Sequence, residues 1–265
     1  MEPIQDISEE VCLNLKGVFC DIDDTLTTDG KLLDVSYQAL WDASRAGLRV
    51  VPVTGRPAGW VDHIARMWPV DGVVGENGAF YFWMGQGKMN RHFVQDFQTR
   101  LQSREKLERI QEKILHHIPQ SAVSADQRYR ESDLAIDFCE DVPRLEELQI
   151  EQIVHFFEEA GAKAKISSIH VNGWFGHFDK LSTCRLLVQH LWNERPSEKM
   201  ESYIYCGDSP NDEPMFEAFL HSVGVANVLP WLPRMKAHPR YCTRQTSGKG
   251  FAEFIATVLQ KRKRS

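Results

Sequence analysis

The feature that most restricts the fold is an alternation of short apolar runs with helical segments. GVFCDI (17–22), LRVVPVTG (48–55) and DGVVGENGAFYFW (71–83) each have the composition of a buried strand, and segments with helical spacing of apolar residues separate them. Short connections between alternating strands and helices favour parallel β-α-β units. Because the alternation returns after about residue 178, the sequence predicts an α/β fold with a doubly wound, Rossmann-like parallel sheet.

The middle of the chain has a different texture. A long amphipathic helix (DFQTRLQSREKLERIQEKILHHI), a second helix and two strands lie between the two alternating regions, and this part is richer in charge. A chain of 265 residues is also long for one compact unit. We therefore expect a core formed by residues 1–90 and 176–265, interrupted by a smaller inserted α/β cap at residues 91–175.

Composition excludes several classes of function. A net charge of −6 argues against a general nucleic-acid or anionic-membrane surface. No apolar run reaches transmembrane length and the acidic N-terminus does not resemble a signal peptide, so the expected location is the cytosol. The six scattered cysteines are expected to be reduced core residues. The basic run at residues 261–265 is either the solvated end of a last helix or a phosphate-attracting or localisation tail.

Acidic residues follow two of the predicted strands. Asp21 and Asp23 come directly after GVFC, and Asp208 and Asp212 follow the strand SYIYCG near the other end of the chain. If these strands are neighbours, the four carboxylates converge at the carboxyl edge of the sheet. Four acids with few bases describe a site for a hard divalent cation, and Mg²⁺ suits it. A calcium loop is excluded, because the positions that would need Gly and Glu hold Leu26 and a second leucine.

Two further features are typical of a phosphate site. Thr54, Gly55 and Arg56 end a strand, where a hydroxyl and free backbone N–H groups bind phosphate oxygens well. Arg56 is equally suited to a structural ion pair. Lys180 begins a helix shortly before the second acidic strand and could neutralise both a phosphate and a carboxylate nucleophile.

These motifs together resemble those of a known family. DIDDTLT, VTGRP, Lys180 and GDSPND have the order and spacing of the four motifs of the haloacid dehalogenase (HAD) superfamily of phosphohydrolases. GENGA at 75–79 and the insertion before Lys180 resemble subclass IIB. That subclass includes the Cof-type phosphatases, sucrose-phosphate phosphatase, mannosyl-3-phosphoglycerate phosphatase and phosphomannomutase. The resemblance covers the core and is weakest over residues 90–175.

The resemblance implies a catalytic role for several residues. Asp21 would be the nucleophile that forms an aspartyl-phosphate, and Asp23 would act as general acid and then as general base. Thr54 and Lys180 would bind the transferring phosphoryl group.

The resemblance also implies a metal site. Mg²⁺ would be held by Asp21, the main-chain carbonyl of Asp23, and Asp208. Asp212 and Asn211 would hold the waters of the metal or orient the motif lysine.

Substrate selection is expected to lie in the cap. Polar and aromatic residues that flank its predicted strands are candidates for sugar contacts: Arg128, Arg130, Asp133, His170, Asn172 and Trp174. Trp174 could form an aromatic platform, or it could instead pack where the cap meets the core. The arginines could instead pair with neighbouring carboxylates.

The sequence thus predicts a Mg²⁺-dependent phosphomonoester hydrolase acting on a small phosphorylated metabolite, first of all a sugar phosphate. Two alternatives stay open. A phosphotransferase or phosphomutase would use the same site with a sugar hydroxyl as acceptor. A non-catalytic metabolite-binding regulator would keep the fold without the chemistry.

Overall fold

The computed structural model describes residues 1–167 and 169–263 of the chain. The strands are β1 (Glu2–Pro3), β2 (Gly17–Cys20), β3 (Thr27–Thr28), β4 (Lys31–Leu32), β5 (Arg49–Pro52), β6 (Val73–Gly75), β7 (Phe80–Gly85), β8 (Lys88–Phe93), β9 (Ala122–Val123), β10 (Asp133–Asp137), β11 (Lys163–Ile166), β12 (His170–Trp174), β13 (Tyr203–Gly207), β14 (His221–Gly224) and β15 (Tyr241–Cys242). The α-helices are α1 (Glu9–Asn14), α2 (Asp34–Arg45), α3 (Ala58–Met67), α4 (Phe97–His117), α5 (Glu147–Glu159), α6 (Lys180–Trp192), α7 (Glu213–Ala218) and α8 (Ser247–Arg262).

The central sheet has six strands in the order β1-β15-β14-β13-β2-β5, and every neighbouring pair is parallel. An isolated bridge between Val53 and Val74 connects its β5 edge to the antiparallel sheet β6-β7-β8. Non-consecutive strands become neighbours, because helices cross over between them. The doubly wound parallel core predicted from the sequence is therefore confirmed.

Apolar side chains cover the central sheet on both faces. Val18 and Cys20 of β2 pack in one apolar cluster with α2, α3 and α8. Phe19, between them in sequence, faces the opposite cluster with Tyr205 of β13 and the helices α6 and α7. A parallel sheet needs this double cover, since crossover helices lie on both faces. Strand alternation alone thus explains why β2 is apolar at every position.

A second sheet, β11-β12-β10-β9, is antiparallel and is formed by strands between residues 122 and 174. We call residues 97–174, from α4 to β12, the cap unit. Helices α4 and α5 cover one face of this sheet, where Ile114 and Phe157 pack with Ile136 and Val171. The predicted cap boundary at residue 91 falls inside β8, which pairs with β7 next to the core.

Several smaller sequence predictions can be compared with the structure. DGVVGENGAFYFW is a hairpin of β6 and β7 and not one strand, because a left-handed turn at Glu76 and Asn77 (φ 43° and 56°) reverses the chain. Cys12, Cys20, Cys184 and Cys206 are buried as predicted, whereas Cys139 and Cys242 are half-buried. Helix α8 continues to Arg262, and residues 264–265 of the basic run lie outside the described residues. Across residues 1–167 and 169–263, no helix is long and apolar enough to cross a membrane.

Candidate active site

Two strand ends bring the acidic motifs together. In the register of β2 and β13, Cys20 lies opposite Cys206, and the N–H of Asp21 donates to the carbonyl of Cys206 at 2.9 Å. Asp21 therefore leaves the sheet beside Gly207, one residue before Asp208. The neighbouring strands thus place acids that are 187 residues apart in sequence at one edge of the sheet.

Three buried carboxylates form a triad at this edge. Ligand oxygens of Asp21, Asp208 and Asp212 all lie within 4.8 Å of one another. The Lys180 Nζ lies 2.6 Å from Asp21 Oδ1 and 3.4 Å from Asp212 Oδ1. Three carboxylates against one ammonium leave a formal charge of −2 when all are ionised. The arrangement therefore lacks positive charge.

The pKa values of two of these carboxylates, Asp21 and Asp208, are raised. Burial raises the pKa of Asp21 to about 7, against the attraction of Lys180. Burial, followed by the charges of Asp212 and Asp21, raises the pKa of Asp208 to about 9. Convergent oxygen ligands that resist ionisation without a further cation are the donor set that hard divalent ions prefer. The residues therefore fit a magnesium-type ion.

Local hydrogen bonds shape the acidic loop, which we define as residues 208–212. Asp212 Oδ2 accepts from the backbone N–H of Asp208 at 3.0 Å, and its Oδ1 accepts from the Tyr205 hydroxyl at 2.5 Å. A Cβ at Gly207 would overlap the Asp212 carboxylate, so only glycine allows this close approach. Asp212 is thus a fixed part of the loop as well as a member of the triad.

Asp23 lies apart from the triad and pairs with Arg56. The Arg56 Nη2 lies 2.8 Å from Asp23 Oδ1, and the Nε contacts the same carboxylate at 3.1 and 3.2 Å. Of the two uses predicted for Arg56, the structure contains the ion pair. Both side chains line a cavity above the triad.

The 54–56 loop lies beside this ion pair. Thr54 is fully buried, and its Oγ1 accepts from the N–H of Arg56 at 3.0 Å. Gly55 and Arg56 line the cavity, and Thr54 does not.

The cavity has a volume of about 520 Å³ and lies between the core and the cap unit. Core residues on its wall include Asp21, Asp23, Lys180 and the acidic-loop residues Asp208 and Asn211. Cap-unit residues on its wall are Arg130, Ile166, Ser167, Ile169 and His170. The volume suits a small molecule, and the mixed polar and apolar wall suits an ester with an organic group.

The six cap residues predicted as candidates for sugar contacts do not form one surface. Arg130 and His170 line the cavity, and the other four do not. Arg128 is exposed and borders a separate cleft of about 230 Å³. The Asn172 amide is buried and donates to Asp133 Oδ2 at 3.0 Å. Trp174 is buried in the apolar core and stacks on Phe178, because it packs where the cap unit meets the core.

Three residues that the sequence analysis did not identify donate hydrogen bonds to carboxylates of the triad. The Thr25 hydroxyl donates to Asp208 Oδ1 at 3.1 Å, and the Asn227 amide donates to Asp208 Oδ2 at 3.3 Å and to the carbonyl of Asp24 at 3.0 Å. Tyr205, described above, is the third. Thr25 belongs to the D-x-D-x-T pattern and could have been found there. No local pattern singles out Asn227, which lies 203 residues from Asp24.

Lys165 is a fourth residue without a sequence signal. It lies on β11 of the cap unit, and its Nζ donates to the carbonyl of Asn211 at 2.8 Å. Burial, with the nearby charge of Lys180 as the next cause, lowers the pKa of Lys165 to about 8. The cap unit thus contacts the acidic loop directly.

Solved structures share this fold over nearly their whole length. A protein of Thermoplasma acidophilum is 18% identical with a TM-score of 0.73, covering 92% of this chain and 98% of that one. A HAD/Cof-like hydrolase of Plasmodium vivax is 18% identical with a TM-score of 0.69, covering 96% and 99%. The sucrose-phosphatase of Synechocystis, solved with sucrose and phosphate, is 19% identical with a TM-score of 0.64, covering 92% and 98%.

At this identity the solved structures establish the fold alone, and no curated protein matches the sequence significantly. The family follows from the sequence profile of the haloacid dehalogenase-like hydrolases, which matches residues 18–157 and so covers more than half of the chain. That segment runs from β2 through Asp21 and Arg56 into the cap unit. The chain belongs to the haloacid dehalogenase-like hydrolase family.

Proposed function

We propose that this protein is a Mg²⁺-dependent phosphomonoester hydrolase that acts on a small phosphorylated metabolite through an aspartyl-phosphate. The observation that carries the proposal is the contact between Lys180 Nζ and Asp21 Oδ1 at 2.6 Å, beside a buried acidic triad at the wall of a cavity. A structural role for these acids is costly, because buried like charges repel.

Asp21 is the proposed nucleophile. One of its carboxylate oxygens forms a bond to phosphorus as the bond from phosphorus to the leaving oxygen breaks. Lys180 stabilises negative charge on the transferring group, and Gly55 and Arg56 of the 54–56 loop line the same cavity. The cation, held by Asp21, Asp208 and Asp212 with the carbonyl of Asp23, would supply further charge stabilisation.

Asp23 is the proposed proton carrier. It gives a proton to the leaving alkoxide, then removes one from the water that attacks the aspartyl-phosphate and releases phosphate. The Nη2 of Arg56 lies 2.8 Å from Asp23 Oδ1, so in this proposal Arg56 orients the Asp23 carboxylate toward the leaving group.

Sugar phosphates are the first substrate class to test. The sucrose-phosphatase of Synechocystis and a trehalose-6-phosphate phosphatase related protein share the fold, and the cavity accommodates a small organic group beyond the phosphate. In this proposal the cap unit covers the site and selects the leaving group.

Phosphate release from a panel of phosphorylated sugars, nucleotides and cofactors, with Mg²⁺ and with EDTA, tests the proposal. We expect release that EDTA abolishes and that Asp21→Asn removes, while Asp29→Asn in an exposed turn keeps it. Transfer to a second sugar without phosphate release would instead identify a phosphotransferase or mutase. A panel without any turnover would overturn the enzymatic proposal and favour the regulator.

A further inference from the structure

One arginine of the cap unit reaches a backbone carbonyl of the proposed active site. Only 2% of the Arg130 side chain is exposed. Its Nε lies 3.0 Å from Asp126 Oδ1, and its Nη1 donates to Asp133 at 3.1 Å. The same Nη1 donates to the carbonyl of Gly55 at 3.1 Å. Two carboxylates of the cap unit therefore fix this guanidinium while it bridges to the core.

The carbonyl that Arg130 contacts belongs to a peptide fixed at both ends. The C=O of the Gly55–Arg56 peptide accepts from Arg130, and its N–H donates to Thr54 Oγ1 at 3.0 Å. Because a peptide is planar, two bonds on opposite sides fix its orientation. The Arg56 side chain branches from the Cα that follows this peptide. Its Nε and Nη2 both donate hydrogen bonds to the Asp23 carboxylate. Direct contacts thus run from the cap unit to Asp23.

The segment that carries Arg130 is also docked on the far side of the 54–56 loop. Glu76 is fully buried, and its carboxylate accepts from the N–H groups of Glu131 at 2.9 Å and Ser132 at 2.6 Å. It also accepts from the N–H of Ala58 at 3.1 Å. Glu76 has a φ of 43°, a conformation that costs about 1–3 kcal/mol and persists where surrounding bonds determine it.

The guanidinium of Arg130 has little capacity left for a substrate. It offers five N–H donors, and the bonds to Asp126, Asp133 and Gly55 use four of them. Its charge already faces two carboxylates in a buried setting. One N–H on Nη2 is left, so a direct contact with a phosphate or a sugar would have to use that single donor.

We propose that Arg130 is a positioning residue that ties docking of the cap unit to the orientation of the Gly55–Arg56 peptide and, through Arg56, to proton transfer by Asp23. The kinetic part of this inference rests on the proposed function. Arg130 acts on the chemistry without touching the reacting atoms. This positioning role differs from the direct substrate contact that the sequence predicted for Arg130.

The dependence of kcat on the leaving group distinguishes this positioning role from a merely structural one, which would affect all esters alike. A nitrophenolate leaves without a proton, whereas an alkoxide needs one from Asp23. We therefore compare p-nitrophenyl phosphate with sugar phosphates that the wild type hydrolyses. For Arg130→Lys, which keeps the charge and loses the planar fork, kcat on the sugar phosphate should fall about 100-fold and kcat on p-nitrophenyl phosphate less than about tenfold. Arg109→Met, on the exposed face of α4, is the control and should leave both unchanged.

Hydrogen–deuterium exchange of the full chain supplies an arm that does not depend on activity. In Arg130→Lys, amides in peptides covering residues 54–58 should exchange at least about tenfold faster, while those of β2 keep their protection. Arg130→Met gives a second variant for the same two measurements.

The outcomes separate the proposals. A raised KM for sugar phosphates with unchanged kcat and unchanged exchange would make Arg130 a substrate contact and overturn the inference. An equal loss of kcat on both esters, or loss of protection throughout β2, would also overturn it. If the wild type hydrolyses no ester, the proposed function fails, and the exchange arm alone then decides whether Arg130 holds the 54–56 loop.

Discussion

Removal of the Asp208 charge should change how the stability of the metal-free protein depends on pH. The pKa of Asp208 is raised to about 9 in the folded chain, mainly by burial, against about 4 for an ordinary aspartate in the unfolded chain. Between these values the folded state holds a proton that the unfolded state has lost. The free energy of unfolding therefore falls as pH rises, by about 1.4 kcal/mol for each pH unit.

Asp208→Asn cannot titrate, so this contribution disappears in the variant. From about pH 5 to about pH 8, the variant should become about 4 kcal/mol more stable relative to the wild type. Comparing the two proteins cancels groups far from the triad, such as the buried His221, whose pKa burial lowers. Asp29→Asn, in an exposed turn, serves as the matched control and should follow the wild type at every pH.

Urea unfolding in EDTA across this pH range gives the measurement, and a second series in saturating MgCl₂ tests the metal. Mg²⁺ binds the ionised carboxylates, so the wild type should lose less stability with rising pH in its presence. The variant should respond to Mg²⁺ far less. Parallel pH curves for wild type and variant in EDTA would refute the argument that burial and like charge at the triad keep Asp208 protonated.

Three further predictions concern the acidic loop. Gly207→Ala should lower the free energy of unfolding by about 1–3 kcal/mol and raise the Mg²⁺ concentration needed for activity, because its Cβ displaces Asp212. Tyr205→Phe should cost about 1–3 kcal/mol in urea unfolding by removing a buried donor to a carboxylate, whereas Tyr241→Phe, with no hydroxyl bond among the described residues, should cost less than about 1 kcal/mol. Lys165→Met should reduce kcat/KM for phosphate release about tenfold by freeing the acidic loop from the cap unit, and an unchanged value would contradict that role.

The central fold could be predicted because local patterns determine it. Apolar runs with short helical connections predict the parallel sheet, and the rule that ligands bind at its carboxyl edge predicts where Asp21 and Asp208 lie. The register of Cys20 with Cys206 confirms that these strands are neighbours. The hairpin after β6 was harder to predict, because two non-glycine residues occupy left-handed positions there.

The cap side of the cavity could not be predicted from residue type. Strand β12 is buried at every position, and of its predicted candidates only His170 lines the cavity. Asn172 bonds to Asp133, and Trp174 packs into the core. By contrast Ile166 and Ile169, which carry no chemical signal, line the cavity. Which side chains reach a cleft between two units depends on how the units pack, and local pattern does not contain that information.

The contacts that Arg130 and Lys165 make with the core share one property, which bears on how the cap unit affects the proposed active site. Arg130 and Lys165 both donate to backbone carbonyls, those of Gly55 and Asn211, and each carbonyl lies in a loop that carries proposed catalytic or metal-binding residues. A carbonyl is present whatever side chain its residue bears, so the core supplies these acceptors through its fold. The coupling therefore depends on the identity of two cap residues, and the cap unit can set the geometry of the site without any change in the acidic motifs.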